Sequence, residues 1–334
     1  MNGNDLSKIL VIDTNDVARL LTINDCVDLM AKTLADLAYG IFHQPLRMIV
    51  RPSDAKGLLG LMPAYRASDP ALYGLKAICV FPDNPKINKD AHQGSVMLFN
   101  GETGELLSLM NASAITAIRT AAVSAVATRL LARADSSRLA IIGSGVEARS
   151  HLPAIASVRH IKRTRVVSRR REHADLFATE MSGRHAFPVE AVDTVQEAVE
   201  DADIIVTVTN SHEPVIKREW ISQGAHINAI GTHSPASREI DGHTMAAARV
   251  FVDRRESALN EAGDYVLAVK EGLIKPDSIA GEIGELLIGT KQGRETADQI
   301  TLFKSLGLAV EDLACAQYLF QKAQETGAGT WVNF

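Results

Sequence analysis

The chain of 334 residues is 46% hydrophobic and 22% charged, and its formal net charge is −5. At roughly 100–200 residues per domain, this length predicts about two domains, whose cores are large enough to need no disulfide or metal support. The excess of acidic residues argues against bulk affinity for nucleic acid, which depends on many contacts between basic side chains and phosphates. It also argues weakly against binding to anionic membrane surfaces.

The cysteines and the apolar segments argue against disulfide-rich, thiolate-metal, secreted and membrane-spanning proteins. Cys26, Cys79 and Cys315 lie far apart and are odd in number, so neither a disulfide framework nor a thiolate metal site is expected. The N-terminal segment lacks the pattern of a secretory signal, so none is expected, and no apolar run is expected to approach the ~18 residues of a membrane span. We therefore expect a cytoplasmic protein without a metal, a nucleic-acid partner or a membrane partner.

The first hundred residues predict one helix followed by short strands. Apolar residues recur at helical spacing over 27–37, after Thr22, which stands where an N-cap belongs. From residue 45 to 104, apolar runs separated by turn residues predict an antiparallel or mixed sheet. The expected strands are Arg47–Arg51, Gly57–Met62, Gly74–Phe81 and Ser95–Phe99.

Beyond residue 116 the pattern changes to alternating helices and strands. An Ala- and Leu-rich helix over 117–132 precedes this region, which predicts parallel βαβ units and a doubly wound sheet. The chain from Leu302 to Gln324 is expected to be helical, with one apolar face. The strands expected in the sheet are 139–142, 164–168, 204–207, 226–230 and 249–252.

These elements predict an α/β fold in which a Rossmann-type doubly wound parallel sheet is inserted in a second, α+β domain. The dinucleotide-binding domain is placed at 119–302. The second domain is built from both ends of the chain, 1–118 and 303–334.

The segment Gly143-Ser-Gly-Val-Glu-Ala148 matches the G-x-G-x-x-A turn of dinucleotide-binding folds, between a buried strand and a helix. Gly143 permits a tight turn, and Gly145 lets the backbone approach a pyrophosphate. Ala148 allows the helix to pack closely on the strand, and the helix N-terminus attracts phosphates. The alternative is a glycine turn that binds nothing.

The end of the second expected strand indicates which dinucleotide is bound. NAD-binding folds usually place Asp or Glu there, but this chain has Ser168 followed by Arg169, Arg170 and Arg171. Guanidinium groups suit a phosphate through bidentate, charge-assisted hydrogen bonds. The sequence therefore favours NADP(H), with NAD(H) still possible. The alternative is a solvated basic turn.

Short motifs along almost the whole chain, about residues 10–324, resemble those of the ornithine cyclodeaminase/mu-crystallin family. In chain order they are Pro45-Leu-Arg47, Met62-Pro-Ala-Tyr65, Leu75-Lys76, His92-Gln93, Ile115-Thr-Ala-Ile-Arg119-Thr-Ala-Ala122, Gly143-Ser-Gly145, Gly224-Ala-His-Ile-Asn-Ala-Ile-Gly231 and Phe303-Lys-Ser-Leu-Gly307. The resemblance implies a nicotinamide cofactor and a substrate whose carboxylate is next to an amine or imine carbon. It also implies a homodimer, with the second domain binding substrate and forming the dimer.

The resemblance assigns roles to four side chains of the second domain. Arg47, Lys76 and Arg119 are expected to face the substrate carboxylate, because hydride transfer requires the substrate to be held in position. Lys76 lies in an otherwise apolar strand and is expected to exchange a proton with the substrate nitrogen. His92 is expected near the nicotinamide and the substrate. The alternatives are structural arginines, a lysine at a strand edge and a loop histidine.

The resemblance also implies cofactor contacts from the pyrophosphate and adenosine ribose to the nicotinamide. The expected residues are Arg119, Gly143, Ser144, Gly145, Val146, Glu147, Ser168, Arg169, Arg170, Thr207, Val208, Thr209, Ile230, Gly231 and Ser305. The stretch 207–209 is equally compatible with an ordinary strand end.

Two positions depart from the cyclodeaminase pattern. Gly60 and His233 stand where that enzyme carries Glu and Asp in its acid–base machinery, so ring closure of ornithine is not expected. His233 is a candidate for proton transfer near neutral pH. The alternative is a histidine that only hydrogen-bonds the backbone of its loop.

We therefore expect an NADP(H)-dependent reductase or dehydrogenase that interconverts a small 2-imino (ketimine) acid and the corresponding 2-amino acid. Two alternatives stay open. One is a cyclodeaminase-type lyase that recycles NAD within each turnover. The other is a mu-crystallin-like protein that binds NADPH and a small ligand.

Overall fold

The computed structural model describes residues 8–334 and divides the chain into two compact units. The first unit comprises the described residues up to Arg119 together with Leu308–Phe334. The second unit, Thr120–Gly307, is inserted between these two parts. The expected α/β fold with an inserted Rossmann-type sheet is confirmed.

The described chain alternates between strands and helices throughout its length. In chain order the elements are β1 (Lys8–Ile12), α1 (Thr14–Leu20), α2 (Ile23–Ala38), β2 (Phe42–His43), β3 (Met48–Val50), β4 (Leu58–Arg66), β5 (Leu72–Val80), β6 (His92–Asn100), β7 (Leu106–Asn111), α3 (Ala112–Leu131), β8 (Arg138–Ile142), α4 (Val146–Val158), β9 (Arg163–Val167), α5 (Arg171–Ser182), β10 (Val189–Ala191), α6 (Val195–Val199), β11 (Ile204–Thr207), β12 (His226–Ala229), α7 (Gly242–Ala247), β13 (Arg249–Val252), α8 (Arg255–Glu261), α9 (Gly263–Lys270), β14 (Ile279–Glu282), α10 (Ile283–Leu287), β15 (Thr301–Lys304), α11 (Ala309–Thr326) and β16 (Thr330–Asn333).

The first unit is built on one sheet in the order β16-β1-β7-β6-β5-β4-β2, with β3 also paired to β4. β1 and β7 are parallel, and the other pairs are antiparallel. The helix expected after Thr22 is confirmed as α2, where the Thr22 hydroxyl accepts a hydrogen bond from the Asp25 N–H at 3.2 Å.

Helix α11 covers β4, β5 and β6 and packs against α2. Gly74 on β5 permits this close approach, because a Cβ there would lie 2.9 Å from the side chain of Leu313. Alternate residues of β5 are buried from Leu72 to Ile78, as the period of two in a strand requires. Lys76 belongs to this buried series and therefore points to the covered face.

The second unit contains a fully parallel sheet in the order β10-β9-β8-β11-β12-β15-β13-β14. Its five predicted strands are confirmed to within one residue at each end. From β8, the chain adds β9 and β10 on one side of the sheet and then crosses to add β11 on the other side, so the strand order switches between β8 and β11. In open α/β sheets, ligands bind at the carboxyl ends of the strands flanking such a point.

The helix expected from Leu302 begins later than predicted. Residues 301–304 form the buried strand β15, and α11 starts at Ala309. Leu302 and Phe303 of β15 stand close to the apolar residues of α11 in the sequence, and periodicity alone does not distinguish so short a strand from the start of a helix. The domain boundary expected after residue 302 would cut β15, but pairing with β12 and β13 holds that strand in the second unit.

Contrary to the expectation that no apolar run approaches the length of a membrane span, helix α3 is apolar enough, over 20 residues, to cross a membrane by length and composition alone. In the structure, 72% of its most apolar window is buried inside the protein. Its apolar side chains therefore pack within the folded chain.

Candidate active site

Lys76 carries an amino group on the apolar, covered face of β5. Its side chain is 3% exposed, and Leu72 and Ile78 lie on the same face of the strand. A buried ammonium without a partner would be costly. The partner comes from α11, where Oδ1 of Asp312 lies 3.3 Å from Nζ of Lys76.

Arg119, on α3, shares the same carboxylate. Its Nε lies 3.3 Å from Oδ1 of Asp312, and its Nη1 lies 3.0 Å from Oε2 of Glu311. All of these side chains are buried, and charges interact more strongly there than in water. The structure thus brings two of the three expected carboxylate-binding residues together around a pair of acids.

Sequence reasoning missed Glu311 and Asp312. Both stand in the first turn of α11, where acidic residues are common because they interact favourably with the helix dipole. A signal was nevertheless present. The two acids interrupt an apolar run from Ala309 to Ala316, in which every residue is buried in the structure. Paired acids inside such a run require buried cations.

The charges around Lys76 set its acidity. Burial lowers the pKa of Lys76 to about 8; the Asp312 carboxylate opposes this change, and the positive charges of Arg119 and Arg47 add to it. An ammonium with a pKa near 8 can donate a proton at neutral pH and be reprotonated afterwards. The influence of Arg47 also places this third expected residue near Lys76.

His92 is the first residue of β6 and pairs with Val80 of β5. Its main-chain carbonyl accepts a hydrogen bond from the Ser113 hydroxyl. Although the residue as a whole is exposed, partial burial of its ring and the charges of Lys76 and Arg119 lower the pKa of its imidazole. His92 is therefore a neutral hydrogen-bonding group at pH 7.

The glycine turn connects β8 to α4. Gly143 has φ of +113°, and a Cβ there would lie 2.6 Å from the carbonyl oxygen of Val208, so this position requires glycine. Gly145 is the N-cap of α4, and no other group lies within 4 Å of where its Cβ would be. The first turn, with Val146 and Glu147, thus begins next to open space. Exposed N–H groups at a helix start bind phosphates well.

The end of β9 lies beside this turn, since Oγ of Ser144 donates to Oγ of Ser168 at 3.0 Å. Arg169 and Arg170 follow and are both exposed. Neither has a carboxylate partner among residues 8–334, so their guanidinium groups are available to an anion. The neighbouring arginines differ, because each pairs with aspartate: Arg163 and Arg165 with Asp201, and Arg171 with Asp175 and Asp193.

Apart from Arg119 on α3, the remaining expected cofactor residues lie at or just after the carboxyl ends of β11, β12 and β15, which follow β8 in the sheet order. Main-chain hydrogen bonds of 2.9–3.1 Å align these ends, from Val208 to Ile142, Ile230 to Thr207 and Ser305 to Ala229. Ile230 and Ser305 are buried, whereas Val208, Thr209 and Gly231 are partly exposed. The sheet therefore brings residues from four distant parts of the sequence to one edge.

A buried carboxylate, Glu239, fixes two of these strand ends and was not foreseen. It accepts hydrogen bonds from the Thr207 hydroxyl at 2.8 Å, the Thr209 N–H at 2.6 Å and the Gly231 N–H at 2.7 Å. A Cβ on Gly231 would lie 2.1 Å from the Thr209 oxygen, so glycine is needed for this approach. Because the hydroxyl of Thr207 is used here, Val208 and Thr209 are the better candidates for contact with a nucleotide.

Glu239 is supported in turn by a buried ion pair. Oδ1 of Asp264 accepts hydrogen bonds from the N–H groups of Glu239 and Ile240, and Oδ2 lies 3.0 Å from Nζ of Lys304. Burial raises the pKa of Glu239, with Lys304 opposing the change. For Asp264 burial is outweighed, and Lys304 with the main-chain donors lowers its pKa.

The two positions that depart from the cyclodeaminase pattern offer no carboxylate. Gly60 is buried on β4, and a Cβ there would lie 3.6 Å from the side chains of both Ile49 and Ile78. His233 is exposed in the loop after β12. The surroundings of Gly60 are thus apolar.

These residues fit a dinucleotide but show no metal centre. The open start of α4, the glycine at φ +113° and the two available guanidinium groups suit a pyrophosphate and a further phosphate. Within the described residues, no group of three or more His, Cys, Asp or Glu side chains is placed to hold a metal ion.

Comparisons with known proteins agree over the length of the chain. Residues 8–327 match the family model described as ornithine cyclodeaminase/mu-crystallin family. A Δ1-pyrroline-2-carboxylate reductase of Bacillus thuringiensis subsp. konkukian is 38% identical over 98% of this chain and 100% of its own. The ketimine reductase mu-crystallin of Mus musculus is 41% identical over 83% of this chain and 84% of its own.

A solved structure is also similar. The Thermococcus litoralis Δ1-pyrroline-2-carboxylate reductase, in complex with NADH and L-proline, superposes with a TM-score of 0.94. It is 37% identical, and the match covers 96% of this chain and 99% of that chain.

Proposed function

Because the chain belongs to the ornithine cyclodeaminase/mu-crystallin family, we propose that it is an NADP(H)-dependent reductase of a small 2-imino acid. In the reverse direction it would oxidise the corresponding 2-amino acid. The observation that carries the proposal is the buried cluster of Lys76 and Arg119 on β5 and α3, with Arg47 close by. Relatives that reduce pyrroline-2-carboxylate and ketimines support the same chemistry.

The charge of this cluster suits one substrate carboxylate. Arg47, Lys76 and Arg119 supply three positive charges, and Glu311 and Asp312 supply two negative charges, which leaves one positive charge. A carboxylate bound by Arg47 and Arg119 would balance it through charge-assisted hydrogen bonds. The cluster thus orients the substrate by the group that all 2-imino acids share.

Lys76 is the proposed proton donor. Bound NADPH supplies the hydride that the imine carbon accepts. Reduction also requires one proton on the substrate nitrogen, and Nζ of Lys76 provides it because the pKa of about 8 leaves the amine largely protonated at pH 7. The neutral imidazole of His92 is available as a hydrogen-bonding group beside the same substrate.

The preference for NADP(H) is proposed from Arg169 and Arg170. Both are exposed, come after β9 and Ser168, and lack carboxylate partners among the described residues. In Rossmann folds this position faces the adenosine ribose, and arginine there accommodates a 2′-phosphate. NAD(H) remains the second candidate cofactor.

A cyclodeaminase-type lyase is the less favoured function. Its chemistry needs a group to bind the distal ammonium of ornithine. Gly60 offers no side chain and His233 offers an imidazole in place of a carboxylate, so neither supplies a negative charge to pair with a second ammonium. Binding of NADPH and a ligand without turnover, as in a mu-crystallin-like binding protein, requires no proton donor such as Lys76.

A homodimer is proposed from the surface of β3. Met48, Ile49 and Val50 are 45–60% exposed, so this short strand presents apolar side chains to solvent. Such a surface is typical of protein–protein contacts. Light scattering should give twice the chain mass of 36.0 kDa, and a monomer at micromolar concentration would contradict the proposal.

The proposed activity is tested by following NADPH oxidation with a panel of imines. The panel contains cyclic imines with a 2-carboxylate and 2-oxo acids mixed with ammonia or methylamine. We expect stoichiometric NADPH consumption with at least one member, and none with an imine that lacks the carboxylate. Ammonia release from ornithine without net change in cofactor would favour the lyase instead.

A further inference from the structure

The feature that remains unexplained is the carboxylate of Asp312, which serves two cations at once. Its Oδ1 lies 3.3 Å from both Nζ of Lys76 and Nε of Arg119, and all three side chains are buried. Burial of a carboxylate is unfavourable unless the charges around it are fixed and paired. A single oxygen that joins a proton donor to a carboxylate-binding arginine fixes the distance between them.

Glu311, its neighbour on α11, is a natural comparison. Its Oε2 pairs with Nη1 of Arg119 at 3.0 Å. Charged groups that act on Lys76 from the surrounding elements include Asp312 on α11, Arg119 on α3 and Arg47 before β3, and the charge of Lys76 in turn acts on the His92 imidazole of β6. Among the first three, Asp312 is the group that favours the protonated amine. Both acids therefore contact Arg119, whereas the ion pair with Lys76 is made by Asp312.

We propose that Asp312 is a positioning residue for the proposed imine reduction. It holds the side chains of Lys76 and Arg119 at a fixed distance from each other and keeps the Lys76 amine protonated before turnover. The inference rests on the proposed function. During reduction, Lys76 loses its proton to the substrate nitrogen, while the hydride joins the imine carbon. Asp312 keeps its charge throughout and favours return of a proton from solvent to Lys76.

The test compares Asp312→Asn with Glu311→Gln. Each substitution removes one charge and keeps the side-chain shape. In Asp312→Asn we expect the alkaline limb of the kcat/KM profile for imine reduction to move down by one pH unit or more, because an opposite charge at this distance shifts a pKa by 1–3 units. In Glu311→Gln we expect KM for the imino acid to rise, with the limb unmoved.

A second readout does not depend on activity. The 13Cε resonance of Lys76, assigned with a Lys76→Arg variant in lysine-labelled protein, reports its titration directly. We expect its midpoint to fall in Asp312→Asn and to stay in place in Glu311→Gln. If the titration midpoint shifts as expected but the unmodified protein reduces no imine, the proposed function is wrong while the effect of Asp312 on the protonation of Lys76 is supported.

An Asp312→Glu variant keeps the test decisive if Asp312→Asn does not fold. It retains the charge but lengthens the side chain, so we expect an unmoved alkaline limb and a kcat lowered tenfold or more. An unchanged kcat in Asp312→Glu would overturn the positioning role. An unmoved Lys76 titration in Asp312→Asn, or an equal shift in Glu311→Gln, would overturn the assigned effect on protonation.

Discussion

Lys76 is buried on the apolar face of a strand and yet is expected to carry a charge when substrate binds. The structure reconciles these demands with one carboxylate, Asp312, whose attraction opposes the effect of burial on the pKa. The strand pattern around Lys76 indicated a buried amine, but the sequence did not show its partner, 236 residues away. Such a partner becomes visible only when α11 is packed on β5.

Replacing Lys76 by Met should abolish the proton donation that reduction requires. We expect kcat for the reduced imine to fall by roughly a hundredfold or more, the usual range for a general acid. NADPH affinity, measured by fluorescence titration, should change less than about twofold. Lys86→Met, at an exposed lysine that pairs with Asp83, is the matched control and should keep full activity. A loss below tenfold for Lys76→Met would remove Lys76 from the mechanism.

The pKa of Lys76 also predicts the pH dependence of reduction. The protonated amine is the active form, and it is present below a pKa of about 8 and lost as the pH rises through it. We expect kcat/KM for reduction to fall about tenfold per pH unit above that value. Rates measured from pH 6 to 10 check this. A rate that rises over the same interval would mean that the neutral amine is required.

Arg169 should determine the cofactor preference. In Arg169→Asp we expect the ratio of kcat/KM for NADPH to that for NADH to fall by roughly ten- to a hundredfold, because a charge-assisted hydrogen bond to phosphate is lost and repulsion is added. Arg171→Ala is the control, since Arg171 already pairs with Asp175 and Asp193. Equal use of both cofactors by the unmodified protein would contradict the argument.

Among the secondary-structure elements, the strand ends determine where the expected cofactor residues meet. The glycine turn after β8 was recognisable from its spacing, as were the basic residues after β9. The connection between Glu239, Asp264 and Lys304 was not recognisable, although Lys304 lies in the motif Phe303-Lys-Ser-Leu-Gly307, because no local pattern links the three residues. Their link depends on sheet order, in which β12 and β15 are neighbours despite some 70 intervening residues.

The buried pair of Lys304 and Asp264 should be needed for stability. In Lys304→Met an unpaired carboxylate remains in the core, so we expect the free energy of unfolding to fall by about 3–5 kcal/mol. Lys322→Met removes a surface pair with Glu325 and should cost less than about 1 kcal/mol. Urea unfolding measures both. Similar losses in the two variants would contradict the role given to the network.

At the scale of the whole molecule, two buried histidines predict sensitivity to acid. Burial lowers the pKa of His151 to about 4 and that of His226 to about 3, against about 6.5 in an unfolded chain. Below pH 6.5 the unfolded state therefore binds more protons, and the free energy of unfolding decreases by about 2 kcal/mol per histidine at pH 5. Urea unfolding at pH 7 and 5 should show a smaller decrease in His226→Gln. The same decrease in both proteins would contradict this origin.

The domain organisation of the molecule was predictable from local patterns of strands and helices in the sequence. The composition of the site was not, because it depends on how distant elements pack together. Alternation of strands and helices predicted an inserted parallel sheet, because each βαβ unit has its own local pattern. The residues of the basic cluster come from β5, α3, the segment before β3 and, for the acids, α11. Nothing local in the sequence shows that Glu311 and Asp312 belong with Lys76 and Arg119.

The proposed function requires that hydride pass from NADPH to an imine carbon beside a carboxylate, with net consumption of the cofactor. It is tested most directly with NADPH carrying deuterium at C4 of the nicotinamide on the transferable face, and Δ1-pyrroline-2-carboxylate as substrate. We expect one deuterium at C2 of the proline formed for each NADPH oxidised. The proposal would be contradicted if no imine in the panel were reduced and if the protein formed unlabelled proline and ammonia from ornithine without consuming NADPH.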